Sequence, residues 1–363
     1  MFITRLALFI FIFAFSSSSF ADGQTGRFLY ASSPDGAQAD GRSGTGILIF
    51  DIDHDHKFVR RIDVPIFKEG IRGFTGNAAN HCVYYSTTNR RLGCFDVESE
   101  KVIWDRQYDA GCDRSSITPD GKKIYAPTGF WYAGNDGGFL VIDAKTGDLI
   151  KRLSAGPQAH NSITSLDGRY AYLGTRTRLT VFDTTSDTIV KQIDPVGERG
   201  VFPFTVTSNN EIAYVCLGGH VGVDVVDLKA GKVLHRVLAG DAPIKHRTHG
   251  AGLTPDESEL WVSDQDGKKL FIFDATKMPP APKGHVDLSA GGHGWVTFSM
   301  DGKYAWCHTP DVFDAKTKKV VATLRDEKGK PFSSSKFIEI EMKDGKVVRI
   351  GCEFGVGRKA TAQ

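Results

Sequence analysis

The sequence predicts an all-β protein, a seven-bladed β-propeller of four-stranded antiparallel blades, its ring closed by a C-terminal strand that pairs with the first blade. Three observations predict it. An apolar strand ending in aspartate recurs seven times, as ILIFD, LGCFD, FLVID, LTVFD, VDVVD, LFIFD and PDVFD, closing on Asp51, Asp96, Asp143, Asp183, Asp227, Asp274 and Asp314. Neighbouring aspartates stand 40 to 47 residues apart, the period of a four-stranded propeller blade. Each period holds two hairpins and no helical periodicity, which makes four strands per blade.

From the N-terminus, Arg5, the apolar run 6–15 (LALFIFIFAF) and the small-residue stretch 16–21 (SSSSFA) read as a signal peptide cleaved after Ala21. Ten apolar residues are too few for a spanning helix, which needs roughly 20. Residues 1–21 are therefore assigned to the leader and 22–363 to a single propeller domain, periplasmic or secreted.

Within a blade, the first hairpin is clearest as SSITPDGKKIYAPT, NSITSLDGRYAYLGT, AGLTPDESELWVSD and VTFSMDGKYAWCHT. Each is a strand, an Asp-Gly type of turn and a strand with alternating apolar residues. The second hairpin follows the repeated aspartate, as in DAKTGDLIKRL and DLKAGKVLHRV; the aspartate bonds its own turn and glycine tolerates positive φ there. The first blade lacks its inner strand, since 27–33 already reads as a second strand. SSSKFIEIEMKDGKVVRIG at the C-terminus carries the inner-strand pattern with its turn, and supplying it to blade one removes two open edges.

These motifs resemble the YVTN-type β-propeller repeats of exported bacterial proteins, across nearly the whole mature chain. The resemblance implies a seven-bladed ring with a central channel. More distantly similar propellers include lactonases, the lyase that opens virginiamycin B and polysaccharide lyases acting on uronic acids, which imply polar or metal-binding residues near the channel mouth. The fold alone selects none of these activities.

Composition narrows the function classes. A formal charge of +2 without blocks of like charge argues against nucleic acid or a membrane surface as partner. The mature protein is expected to be a monomer without a membrane span. Cys82, Cys94, Cys112, Cys216, Cys307 and Cys352 show no CxxC spacing, which leaves zinc knuckles and thioredoxin chemistry unsupported. Cys82 and Cys94 flank one hairpin, where a cross-strand bridge and isolated buried thiols are both open readings. No Ser-His-Asp order, Walker loop or dinucleotide fingerprint is present.

The two ends of the propeller differ. One end carries the short repeated turns. The other carries the irregular loops 33–44 (SPDGAQADGRSG) and 129–138 (GFWYAGNDGG), and idiosyncratic loops on a rigid scaffold are where function resides. Aligned on the Asp-Gly turn, the inner strands place Arg72, Asp113, His160, Phe202 and His249 in one slot seven residues before it. Blade seven has Gly294 there, between His293 and Trp295; the closing strand has Phe337, after Lys336. Arg114 and Asn161 follow their slots directly. A shared register predicts one polar layer around the channel mouth, and convergent titratable groups in a concavity mark a site.

Two chemistries fit this layer. His160, His249 and His293 are candidate ligands of one divalent metal ion, Zn, Cu or Ca, and candidate catalytic acids or bases. Arg72, Arg114 and Lys336 suit a carboxylate or phosphate; with Asp113, Asn161, Trp131, Tyr132 and Trp295 they form the candidate ligand-binding set. Trp131, Tyr132 and Trp295 offer flat surfaces to a sugar ring. His220 and His308, at second-strand ends, are further candidates for the mouth. The DHDH run at 53–56 lies at the opposite end and reads as solvated surface. The expected function is a lyase or lactonase-like enzyme acting on an anionic, uronate- or lactone-type substrate. The alternative is a non-catalytic propeller binding a protein, glycan or metal ion on the same face.

Overall fold

The structure, a computed structural model, describes residues 25–32, 46–62, 70–176, 178–198, 203–240, 245–334 and 336–358. The leader 1–21, the irregular loop 33–44 and Phe202 lie outside the described residues. Among those described, the strands form seven antiparallel sheets, six of four strands and one of five. The sheets are the blades, arranged in a ring around the inner strands.

Those inner strands are Phe337–Lys343 in blade one and Ile71–Asn77 in blade two. Blades three to five use Ser116–Ile117, Asn161–Thr164 and Phe204–Val206. Blades six and seven use Thr248–Leu253 and Thr297–Phe298. The recurrent third strands end on their aspartates as expected, and each aspartate accepts backbone amides of its own turn. Asp143 holds Lys145 and Thr146, Asp183 holds Thr185 and Ser186, and Asp227 holds Ala230. These bonds are local to each outer hairpin.

Buried apolar side chains divide into seven clusters, one at each interface between neighbouring blades. A strand shows alternate residues to opposite faces, and a blade has a neighbour on both faces. This is why runs such as FLVID are buried throughout rather than every second residue.

The closing strand pairs with Thr25–Ser32 from Thr25 opposite Lys343 to Ala31 opposite Phe337. One feature differs from expectation. After the Asp344–Gly345 turn the chain cannot run outward, because Thr25–Ser32 already holds that edge. Lys346–Ile350 instead pairs on the inner edge, Ile340 opposite Ile350, as a fifth and innermost strand.

Residues 351–358 then cross the channel on the inner strands of blades seven, six and five. Thr297 Oγ1 donates to the Glu353 carbonyl, and the Gly355 amide to Val296 O at 3.0 Å. Leu253 N donates to Gly355 O at 2.8 Å, and Gly357 N to Val206 O at 3.1 Å. Phe354 and Val356 enter the cluster between blades four and five. The tail thus packs against the inner edges of three blades.

The DHDH run needs one correction. His54 is exposed and paired with Asp51, but His56 is buried against Tyr304 and Trp306, with ring centroids at 4.7 and 5.7 Å. Left-handed backbone at Asp55 and His56 turns the second ring inward. Burial, with Arg27 nearby, lowers the His56 pKa to about 4 and keeps it neutral. All six cysteines are free thiols; Cys82 and Cys94 lie diagonally across their hairpin with Sγ atoms 2.8 Å apart. Among the described residues no helix is long and apolar enough to cross a membrane.

Candidate functional site

The predicted layer centres on Asp113. Its backbone is fixed on both sides, the amide donating to Pro127 O at 3.0 Å and the carbonyl accepting from Ser86 Oγ at 2.7 Å. The fully buried carboxylate receives three groups. His160 Nδ1 stands 2.9 Å from Oδ2, Arg72 Nη2 3.3 Å from Oδ1, and the Phe130 amide 3.3 Å from Oδ2. Burial pushes this acid up, but the charges of His160, Arg72 and Arg114 outweigh it and hold Asp113 well below the usual carboxylate range.

The Asp113 carboxylate at Nδ1 orients His160. An ionised carboxylate can only accept there, so Nδ1 donates to it, and in the neutral form of the ring Nε2 is the nitrogen that can accept a proton. The ring is edge-on to Phe130, with centroids 5.7 Å apart, and lies 5.9 Å from both His249 and Trp295.

His249 and His293 lie against one another with centroids 3.4 Å apart and ring planes tilted by 36°. Burial first, then the charges of His293, His160 and Arg114, lower the His249 pKa well below the ordinary histidine value. His293 is half-buried above it at the rim. Among the described residues no group of three or more His, Cys, Asp and Glu is placed to hold a metal ion.

The cations are held flat. Arg72 Cζ lies 4.8 Å over the Trp131 ring, and Arg114 Cζ 4.3 Å over Trp295, geometry that suits a guanidinium on an aromatic face. Trp131 and Phe130 are 40% and 41% exposed, so this aromatic lip is open to solvent. Lys336 is fully buried just ahead of the closing strand. Asn161 bridges the Arg114 backbone and is fully buried, with neither side-chain amide atom matched to a hydrogen-bond partner among the described residues.

Two glycines let the blades approach closely enough for this. A Cβ on Gly73 would stand 2.8 Å from Arg114 Cα, and one on Gly250 would strike the Gly294 carbonyl. Each directly follows a layer residue, Arg72 or His249.

The structure thus brings together Arg72, Asp113, Arg114, His160, His249, His293, Trp131 and Trp295. Tyr132 stands apart, its hydroxyl donating to Asp136 of the same loop. His220 is turned to Glu198 at 2.9 Å and is exposed. His308 is buried beside Gly292, its Nδ1 3.2 Å from Cys307 Sγ.

Two residues of the site escaped the sequence reading. Phe130 carried a signal, being next to Trp131 in the same loop. Glu353 carried almost none. It arrives on the channel-crossing tail, is 1% exposed, and places Oε2 3.7 Å from Arg114 Nη1. Burial raises its pKa to about 7 against the opposing pull of Arg114, Lys336 and the Phe74 amide.

Fold and site define a class: a seven-bladed propeller with a cationic, histidine-bearing layer on its inner strands at one end. No family model matches the chain, and no curated protein does. Among solved structures it is similar to a chain of the hydrazine synthase of Kuenenia stuttgartiensis, with a TM-score of 0.57 and 18% identity over 78% of this chain and 87% of that one. At that identity the likeness carries the fold alone.

Proposed function

We propose that this is an exported propeller enzyme, lyase or lactonase-like, that takes a small carboxylate-bearing substrate of the uronate or lactone type at the mouth of its channel. The observation that carries the reading is the buried Asp113 carboxylate holding His160 Nδ1 at 2.9 Å within a layer of cations. Export rests on the leader motif at 1–21.

His160 Nε2 is then the general base. It takes a proton from the carbon next to a uronate carboxyl, or from a water that attacks a lactone carbonyl. Arg72, Arg114 and Lys336 hold the substrate anion, and they favour charge developing on its carboxyl or carbonyl oxygen. Asp113 is a positioning residue, setting the tautomer that makes Nε2 the base.

The test is turnover of a panel of uronate oligosaccharides and lactones by wild type and His160→Ala. Turnover is expected in wild type and reduced on the order of 10²–10⁴-fold in the variant, with binding retained. Equal turnover by both would remove His160 as the base.

The exposed Phe130 and Trp131 favour a second reading, a non-catalytic propeller that binds a glycan or protein on the same aromatic lip. Saturable binding of such a ligand with no turnover across the panel would select it.

A further inference from the structure

Glu353 is presented to the site rather than left trailing. The tail that carries it is bonded to three blades, and Phe354 behind it is packed edge-on against Trp295, with centroids 5.0 Å apart. The charged groups facing its carboxylate are Arg114, Lys336 and the like-charged Asp113, together with the Phe74 amide. On the strands that carry the tail the titratable side chain is His249, which is held neutral. Glu339 on the closing strand is turned elsewhere, accepting the Met300 amide and lying 3.9 Å from Arg27. Arg72 is paired with Asp113.

Arg114 and Lys336 are therefore the two cations that Glu353 answers, and the 3.7 Å between Arg114 Nη1 and Oε2 is an ion-pair distance too long for a hydrogen bond. A carboxylate arriving on these cations must stand beside the carboxylate already there. Asp113 is already ionised in this layer, so a further carboxylate beside Glu353 on the same two cations adds like-charge repulsion in a buried site and favours uptake of one proton. Asn161, with its buried amide unmatched and its backbone bridged to that of Arg114, supplies both a donor and an acceptor beside the cations.

We propose that Glu353 is the resident counter-ion of Arg114 and Lys336, and that a monocarboxylate ligand binds by taking these cations from it together with one proton from solvent. The inference rests on the anion-site reading above and deepens it, making the ligand a carboxylate bound with a proton rather than a bare anion. No covalent bond changes; the proton comes from buffer and returns to it on release.

The test is calorimetric titration of D-glucuronate in two buffers of different ionisation enthalpy. Wild type is expected to take up about one proton per ligand above about pH 7, and its affinity to weaken about tenfold per pH unit there. Glu353→Gln is expected to bind more tightly, with no proton uptake and a flat profile. Binding by wild type without proton uptake overturns the inference, and that measurement stands even if the variant does not fold.

Should D-glucuronate fail to bind, the uronate reading falls, and acetate tests the inference by itself. Acetate is expected to increase the protonated-carboxyl infrared band of wild type. No such increase overturns the inference.

Discussion

At the residue scale, Asp113 joins three elements through one carboxylate: Arg72 from blade two, His160 from blade four and the Phe130 amide of the irregular loop. Asp113→Asn keeps the shape and removes the charge. Its amide can donate as well as accept, so the Nδ1-protonated tautomer of His160 is no longer enforced. Turnover is expected to fall on the order of 10²–10⁴-fold, and the acid limb of stability to change with it. An aspartate titrates near 3.9 when unfolded, and Asp113 is held below that in the fold. It contributes stability that is present above about pH 4 and is lost as the pH falls towards its folded value. Thermal melts of wild type should fall across that acid range more steeply than those of the variant; parallel curves would contradict the assignment.

The membership of this layer was legible because the inner strands share a register, and counting back from the turn of each first hairpin finds Arg72, Asp113, His160 and His249. Their pairing was not legible. Spacing along the chain does not say that Asp113 turns to His160 while His249 lies against His293, because those contacts cross between blades.

At the scale of elements, the hairpins and the tail contrast. The turns were readable since their bonds are local, Asp143 to Thr146 or Asp183 to Ser186. The tail 351–358 was not, because most of its hydrogen bonds run through its own backbone and leave no side-chain pattern. Only the alternation of Phe354 and Val356 hinted that it was a buried segment. The fifth strand was missed for a related reason: the DGK turn reads the same whether the chain returns on the outer or the inner edge.

The tail is anchored by Phe354, which is 3% exposed against Trp295. Phe354→Ala is expected to cost about 3–5 kcal/mol in urea unfolding, the range for a truncated core phenylalanine. A loss below about 1 kcal/mol would mean that the tail is not part of the core.

At the scale of the whole molecule, seven filled interfaces and a strand exchanged between the chain ends make a closed ring. The innermost strand and the crossing tail lie along the inner edges of blades one, seven, six and five. The open aromatic lip, the cations and the Asp113–His160 pair converge at one end of the ring, and the proposed function follows from their convergence. The repeat made the ring legible at once, since each of the seven aspartates marks a blade. The asymmetry between the two ends emerged only from what the repeat does not explain.

The measurement that tests this account most directly is calorimetric titration of D-glucuronate into wild type and Arg72→Ala at one pH. The account predicts binding at one site per wild-type chain, with affinity weakened at least about tenfold when the Arg72 guanidinium is removed. Equal affinity in the two proteins would contradict the placement of the ligand at the mouth.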